Sequence, residues 1–184
     1  MKKNKVLDLA YIAMFTALIA ICSWISIPLY VPITMQTFAV FAAIGFLGLK
    51  RGTIAVSVYI LLGLVGVPVF AGFKGGIGAL AGPTGGYIIG FLFTAVVSGL
   101  IIKKWGNKPF VLAAAFAAGL IICYVFGTVW FVAVYSSSAE KIGFYAALLK
   151  CVFPFILPDA VKISLAVLVV NRVGRLLNKR GITV

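Results

Sequence analysis

The chain has 184 residues, of which 64% are hydrophobic and 10% charged, where a soluble domain carries about 45–50% and about 25%. At a mean hydropathy of +1.21, so small a body cannot hide its apolar side chains in one core, which excludes a soluble globule and makes lipid the solvent. The net charge of +13 would suit nucleic acid in a soluble protein, but the cations lie in short gaps between apolar runs, so they read as topology determinants and nucleic acid is excluded as a partner.

Six apolar runs follow in chain order, each of about the length that a helix needs to cross a bilayer. The first, Val6 to Ile27, follows a basic start, but it runs too long and offers no small-residue exit for a cleaved signal peptide, so it reads as a retained span. It carries Ala13 and Ala17, a small-xxx-small pair that lets another helix approach closely; packing inside the bundle explains the pair equally well. Asp8 at its start reads as an interfacial charge beside Lys2, Lys3 and Lys5.

The charge-free link Val31 to Phe38 holds Thr34, Gln36 and Thr37 among apolar neighbours, a mix suited to a small molecule with a polar head. Helix capping is the competing role for Thr34 and Thr37. Runs two and three, Ile33 to Leu49 and Thr53 to Val69, are separated by Lys50-Arg51-Gly52. From Gly72 to Tyr87, seven of sixteen residues are glycine, too many for a stable helix. The segment is expected to fold back into the bundle, presenting the backbone N–H groups of Gly85 and Gly86 with Thr84 and Tyr87 near a ligand.

Run four, Gly85 to Ile102, and run five, Phe110 to Tyr135, precede a polar turn where Glu140 reads as solvated. Run six, Val152 to Val170, contains Asp159 and Lys162 near its start. Twelve cations fall on one side of these runs and three on the other, which places both termini in the cytoplasm. The expectation is an all-α integral membrane protein, with residues 1–184 forming a single domain of six transmembrane helices in the cell membrane and no internal repeat.

A spacing of three puts Asp159 and Lys162 on one helical face within the membrane, where they pair with each other or converge on one ligand. A self-neutralising structural ion pair is the competing reading. There is no His, so Ser-His and Cys-His hydrolysis is excluded. No GxxxxGK[ST] is present, and Gly76-Ile-Gly78 fails as GxGxxG because position 81 is Ala, so the chain does not hydrolyse ATP. Cys22, Cys123 and Cys151 are scattered, without metal or disulfide spacing. The chain therefore reads as a non-enzyme with no catalytic residue, no metal and no cofactor. The alternative class is a stand-alone small-solute facilitator or channel with Lys162 as its pore charge.

Val31-Pro-Ile-Thr-Met-Gln-Thr, Pro68-Val-Phe-Ala-Gly-Phe, Gly78-Ala-Leu-Ala-Gly-Pro-Thr-Gly-Gly-Tyr and Pro158-Asp-Ala-Val-Lys, in that order across residues 31 to 162, resemble the motifs of the BioY family, the biotin-specific S components of energy-coupling-factor (ECF) transporters. The resemblance implies a substrate-binding subunit for biotin that works with a transmembrane T component and two ABC-type ATPases. It also makes Ala13 to Ala17 similar to the AxxxA element through which S components meet the T component. Whether Lys162 would meet the ureido carbonyl or the carboxylate of biotin is open from the sequence.

Overall fold

The computed structural model describes residues 5–29, 31–138, 148, 149 and 151–179. Among the described residues the helices with defined bounds are, in order, α1 (Lys5–Trp24), α2 (Gln36–Leu64), the short α3 (Ile77–Ala81), α4 (Gly85–Trp105), α5 (Pro109–Ser138) and α6 (Phe153–Lys179). All but α3 are long and apolar enough to cross a membrane. Lys2, Lys3, Glu140, Lys141, Lys150 and Arg180, which enter the sequence argument on charge, lie outside the described residues.

Five long helices stand where six runs are expected, because runs two and three are joined in α2. Its backbone breaks at Gly48, with φ 73° and ψ −175°, a conformation open to glycine at little steric cost. The chain then folds back on itself. A Cβ on Gly52 would lie 3.0 Å from Ile44 Cα, and the Gln36 side chain bonds to Tyr59 Oη at 2.5 Å, although 23 residues of straight helix would separate them by about 35 Å. The two arms of α2 are thus antiparallel, and both stop short of their apolar runs, at Gln36 and Leu64.

Irregular chain completes that end of the bundle. Ser26–Ile27 (β1) pairs antiparallel with Ile33–Thr34 (β2), Ser26 opposite Thr34. Residues 65–84 form the second connection, which is neither free of helix nor a loose linker. It contains α3 and a bridge from Phe70 to Lys74, and two indoles clamp it: Trp24 Nε1 donates to the Pro68 carbonyl and Trp130 Nε1 to that of Gly82, both at 3.0 Å. Ser23 Oγ and Tyr59 Oη also donate to the Val69 carbonyl. In lipid such backbone acceptors find no water, so side chains must supply their partners.

The rest of the bundle is closely packed. Between α4 and α5, Thr94 Oγ1 donates to the Gly119 carbonyl at 3.0 Å and Ser98 Oγ to that of Ala115 at 2.9 Å, the small-residue contacts and hydroxyl bridges by which helices associate in lipid. Phe41 stacks on Phe116 at the centre, 4.8 Å between ring centroids. Pro158 lies inside α6, which starts at Phe153, close to the expected start of run six. One local expectation changes. Asp8 pairs with Arg51 at 2.9 Å, because the fold-back of α2 brings that guanidinium beside the start of α1.

Candidate functional site

The shortened arms of α2 leave a space that the two connections and the ends of α4, α5 and α6 enclose, a cavity of about 740 Å³. That lies within the range of about 300–1,000 Å³ usual for small-molecule sites. Its walls are mixed: Phe70, Phe91, Leu120 and Phe155 supply apolar surface, and Thr34, Gln36, Thr37, Tyr124, Asp159 and Lys162 supply polar tips.

Asp159 is the centre of the polar group and is 2% exposed, with Lys162 at 5%. Lys162 Nζ donates to Asp159 Oδ1 at 2.7 Å, Thr37 Oγ1 donates to the same oxygen at 3.0 Å, and Tyr124 Oη donates to Oδ2. Three elements thus converge on one carboxylate: α2 through Thr37, α5 through Tyr124 and α6 through Lys162. A carboxylate accepts about four hydrogen bonds and an ammonium donates three. One acceptor position on Oδ2 and two donors on Lys162 therefore remain for a ligand.

Thr34 and Gln36 form a second chain. Thr34 Oγ1 accepts from the Gln36 backbone N–H at 3.2 Å and donates to its Oε1 at 3.0 Å, so Thr34 serves the first turn of α2 as well as the cavity wall. Gln36 leads on to Tyr59 and the Val69 carbonyl, which ties the first connection to the second.

Among the glycine-segment nominees the structure separates lining from packing. Thr84 and Tyr87 line the cavity, and Tyr87 Oη lies 3.1 Å from Thr128 Oγ1. Gly85 and Gly86 are buried and are not among the lining residues: a Cβ on Gly85 would overlap the Leu80 carbonyl at 1.7 Å, and one on Gly86 would meet Trp130 at 2.3 Å. Their small size lets the connection close onto α4 and α5, and no lining role follows from their position. Ala13 and Ala17 are exposed on α1, whereas Ala20, one turn further on, is buried.

Sequence reasoning passed over Tyr124, left Thr37 between a ligand-facing and a capping role, and counted Lys74 only as a loop cation. Tyr124 lies 35 residues before Asp159, a separation with no helical or strand period to connect them. Thr37 was legible as a polar group because it shares the charge-free link with Gln36, but its bond to Asp159 was not, since the two lie on different helices. Among the described residues no group of His, Cys, Asp and Glu could hold a metal ion.

The pattern of the BioY family matches residues 1–179. Among curated relatives, the chain is 44% identical to the biotin transporter BioY of Thermotoga maritima over 88% of this chain and 92% of that one. It is 37% identical to the biotin transporter BioY of Rhodobacter capsulatus, covering 91% and 93%. A solved structure, the S component for biotin from an ECF-type ABC transporter, superposes with a TM-score of 0.85 at 33% identity, covering 95% of this chain and 94% of that one. With the family pattern spanning the chain and the fold matching that of the solved biotin S component, the chain belongs to the BioY family.

Proposed function

We propose that the protein is the biotin-binding S component of an ECF-type ABC transporter, capturing biotin for uptake driven by partner subunits. The observation that carries this reading is the buried Asp159, held by Lys162, Thr37 and Tyr124 at the wall of a partly apolar cavity. The ureido ring of biotin presents an N–H beside a C=O. That edge complements the open acceptor position on Asp159 Oδ2 and the spare donors of Lys162, while the thiophane ring and chain suit Phe70, Phe91 and Phe155. A neutral ring leaves the buried ion pair intact; a carboxylate here would place two anions on one ammonium, which low-dielectric surroundings penalise.

The six apolar runs and the antiparallel arms of α2 support six crossings. The excess of cations at the end opposite the cavity supports cytoplasmic termini and a cavity that opens outward. The exposed Ala13 and Ala17 support docking of a T component along α1, with two ATPases supplying the energy that no phosphate loop in this chain provides. A channel with Lys162 as pore charge fits less well, since that ammonium is neutralised by Asp159 and almost wholly buried.

Denaturing the purified protein and identifying what is released by mass spectrometry tests the assignment. Biotin in near-stoichiometric amount is expected, with one-site binding in titration calorimetry of the emptied protein. A protein that neither releases nor rebinds biotin would overturn it.

A further inference from the structure

The end of the bundle opposite the cavity carries a field of exposed cations: Lys50 at the fold-back of α2, Lys103 and Lys104 closing α4, Lys108 before α5, and Arg172 and Arg175 on α6. Among the described residues no acid pairs with any of them, since Asp8 is taken by Arg51 and Asp159 by Lys162.

The field is densest at the turn between α4 and α5. Gly106 ends α4 with φ of 84°, and its N–H closes on the Ile102 carbonyl at 2.8 Å. Lys103 and Lys104 suit the negative pole of α4, but Lys108 stands at the positive pole of α5, where a cation is unfavourable. The three ammonium groups therefore repel one another and one helix end, and nothing in the described chain neutralises them. Two aromatic rings flank them, Trp105 at 57% exposed and Phe110 at 84%, and the Lys104 ammonium lies over the Trp105 ring, 4.9 Å from its centroid. Exposed aromatic rings at the ends of spans lie at headgroup level.

The outer face of α4 indicates what covers this turn. Phe93, Val96 and Leu100 are exposed, and their spacing makes them one apolar stripe that ends in Lys104. From Phe93 to Lys104 the helix rises about 16 Å, about half of the hydrocarbon thickness of a bilayer. An acyl chain laid along the stripe brings its phosphate to the lysines, whereas an acidic protein docked above the membrane would leave the stripe unused.

We infer that the α4–α5 turn is a binding site for anionic phospholipid: Lys103, Lys104 and Lys108 hold the headgroup phosphate, and the stripe on α4 holds an acyl chain. A zwitterionic headgroup brings its own ammonium to the same place and fits less well. This surface lies away from the cavity and does not depend on which ligand the cavity takes.

Native mass spectrometry of the full chain in detergent, titrated with equal amounts of phosphatidylglycerol and phosphatidylcholine carrying the same acyl chains, tests this. Wild type is expected to retain phosphatidylglycerol about tenfold over phosphatidylcholine at low ionic strength, and less at high salt. Lys103→Gln with Lys104→Gln and Lys108→Gln should cut the preference to about twofold, with biotin affinity unchanged, and arginine at the same three positions should preserve it. Lys104→Gln alone should lower it by about threefold, which supplies the readout should the triple variant not fold. Wild type without the preference, or glutamine variants that keep it in full, would overturn the inference. If wild type shows no preference and the triple variant fails to co-purify with T component and ATPases, the inference also falls, and the lysines meet an acidic protein surface instead.

Discussion

Two ion pairs, each an aspartate with a basic side chain, stand at opposite ends of the bundle. Asp8 meets Arg51 at 2.9 Å with the two side chains 29% and 31% exposed, and Asp159 meets Lys162 at 2.7 Å with 2% and 6%. Contact distance hardly differs; surroundings do. Water and lipid headgroups can solvate the first pair, so its formation changes little. The second has given up most of that solvation and depends on Thr37 and Tyr124 for compensation, so any group that enters the cavity meets a polar centre set in partly apolar walls, where a hydrogen bond is electrostatically stronger than in water. A close contact between opposite charges thus says little about role until the burial around it is known.

The largest expected effect comes from breaking the buried pair. Asp159→Asn or Lys162→Met removes a desolvated charged hydrogen bond, a loss of about 2–5 kcal/mol, and biotin affinity should fall about thirtyfold or more in titration calorimetry. Each single change also leaves a buried charge or amide poorly matched, so thermal stability should drop. The double variant should recover stability because no lone charge remains, yet it should not recover binding. Recovery of both would reduce Asp159 and Lys162 to a structural pair.

Next in size is Tyr124→Phe, which removes one donor from the carboxylate and keeps the ring. A hydrogen bond to a charged group contributes about 1.5–3 kcal/mol; part of it is replaced by the ligand, so about a tenfold loss of biotin affinity is expected. The unfolding midpoint should move much less than with Lys162→Met. Wild-type affinity in Tyr124→Phe would show that Asp159 is oriented by Lys162 and Thr37 alone.

That residue also marks where the sequence stops being readable. The long helices were legible because lipid imposes a length of unbroken apolar chain, and the Asp159–Lys162 face was legible because both lie on one helix at a fixed period. Tyr124 joins them only through the packing of α5 on α6, and no local spacing records that. The break in α2 was expected at Lys50-Arg51-Gly52 and falls at Gly48, since which glycine adopts positive φ depends on how the arms pack. Gly85 and Gly86 illustrate a different ambiguity. A glycine offers both an accessible N–H and a missing side chain, and here close approach to Leu80 and Trp130 uses the second property.

Between the two ends, the exposed Ala13 and Ala17 extend the contrast to a neutral surface. Ala13→Trp with Ala17→Trp adds bulk to positions that are exposed among the described residues, so biotin affinity should stay within about twofold. Co-purification with T component and ATPases should be lost, because backbone-to-backbone approach needs the small side chains. Loss of biotin binding in the double variant would instead tie this face to the cavity through α1, whose Ser23 and Trp24 hold the second connection.

The smallest effect is expected at the exposed pair. Asp8→Asn and Arg51→Met each remove one partner of a contact that bridges the start of α1 and the fold-back of α2. Neither leaves a charge stranded in a dry interior, because both groups keep access to solvent. An exposed pair of this kind contributes about 0–1 kcal/mol, so the unfolding midpoint should shift slightly at low ionic strength, and the shift should shrink further in salt as screening replaces the lost partner. Biotin affinity should be unchanged, since the cavity lies at the far end of both helices. Thermal melts at two salt concentrations, with calorimetry on the same samples, provide both readouts. A salt-insensitive loss of stability as large as that of Lys162→Met would mean that the Asp8–Arg51 contact is shielded by lipid, and the two pairs would then differ in position alone.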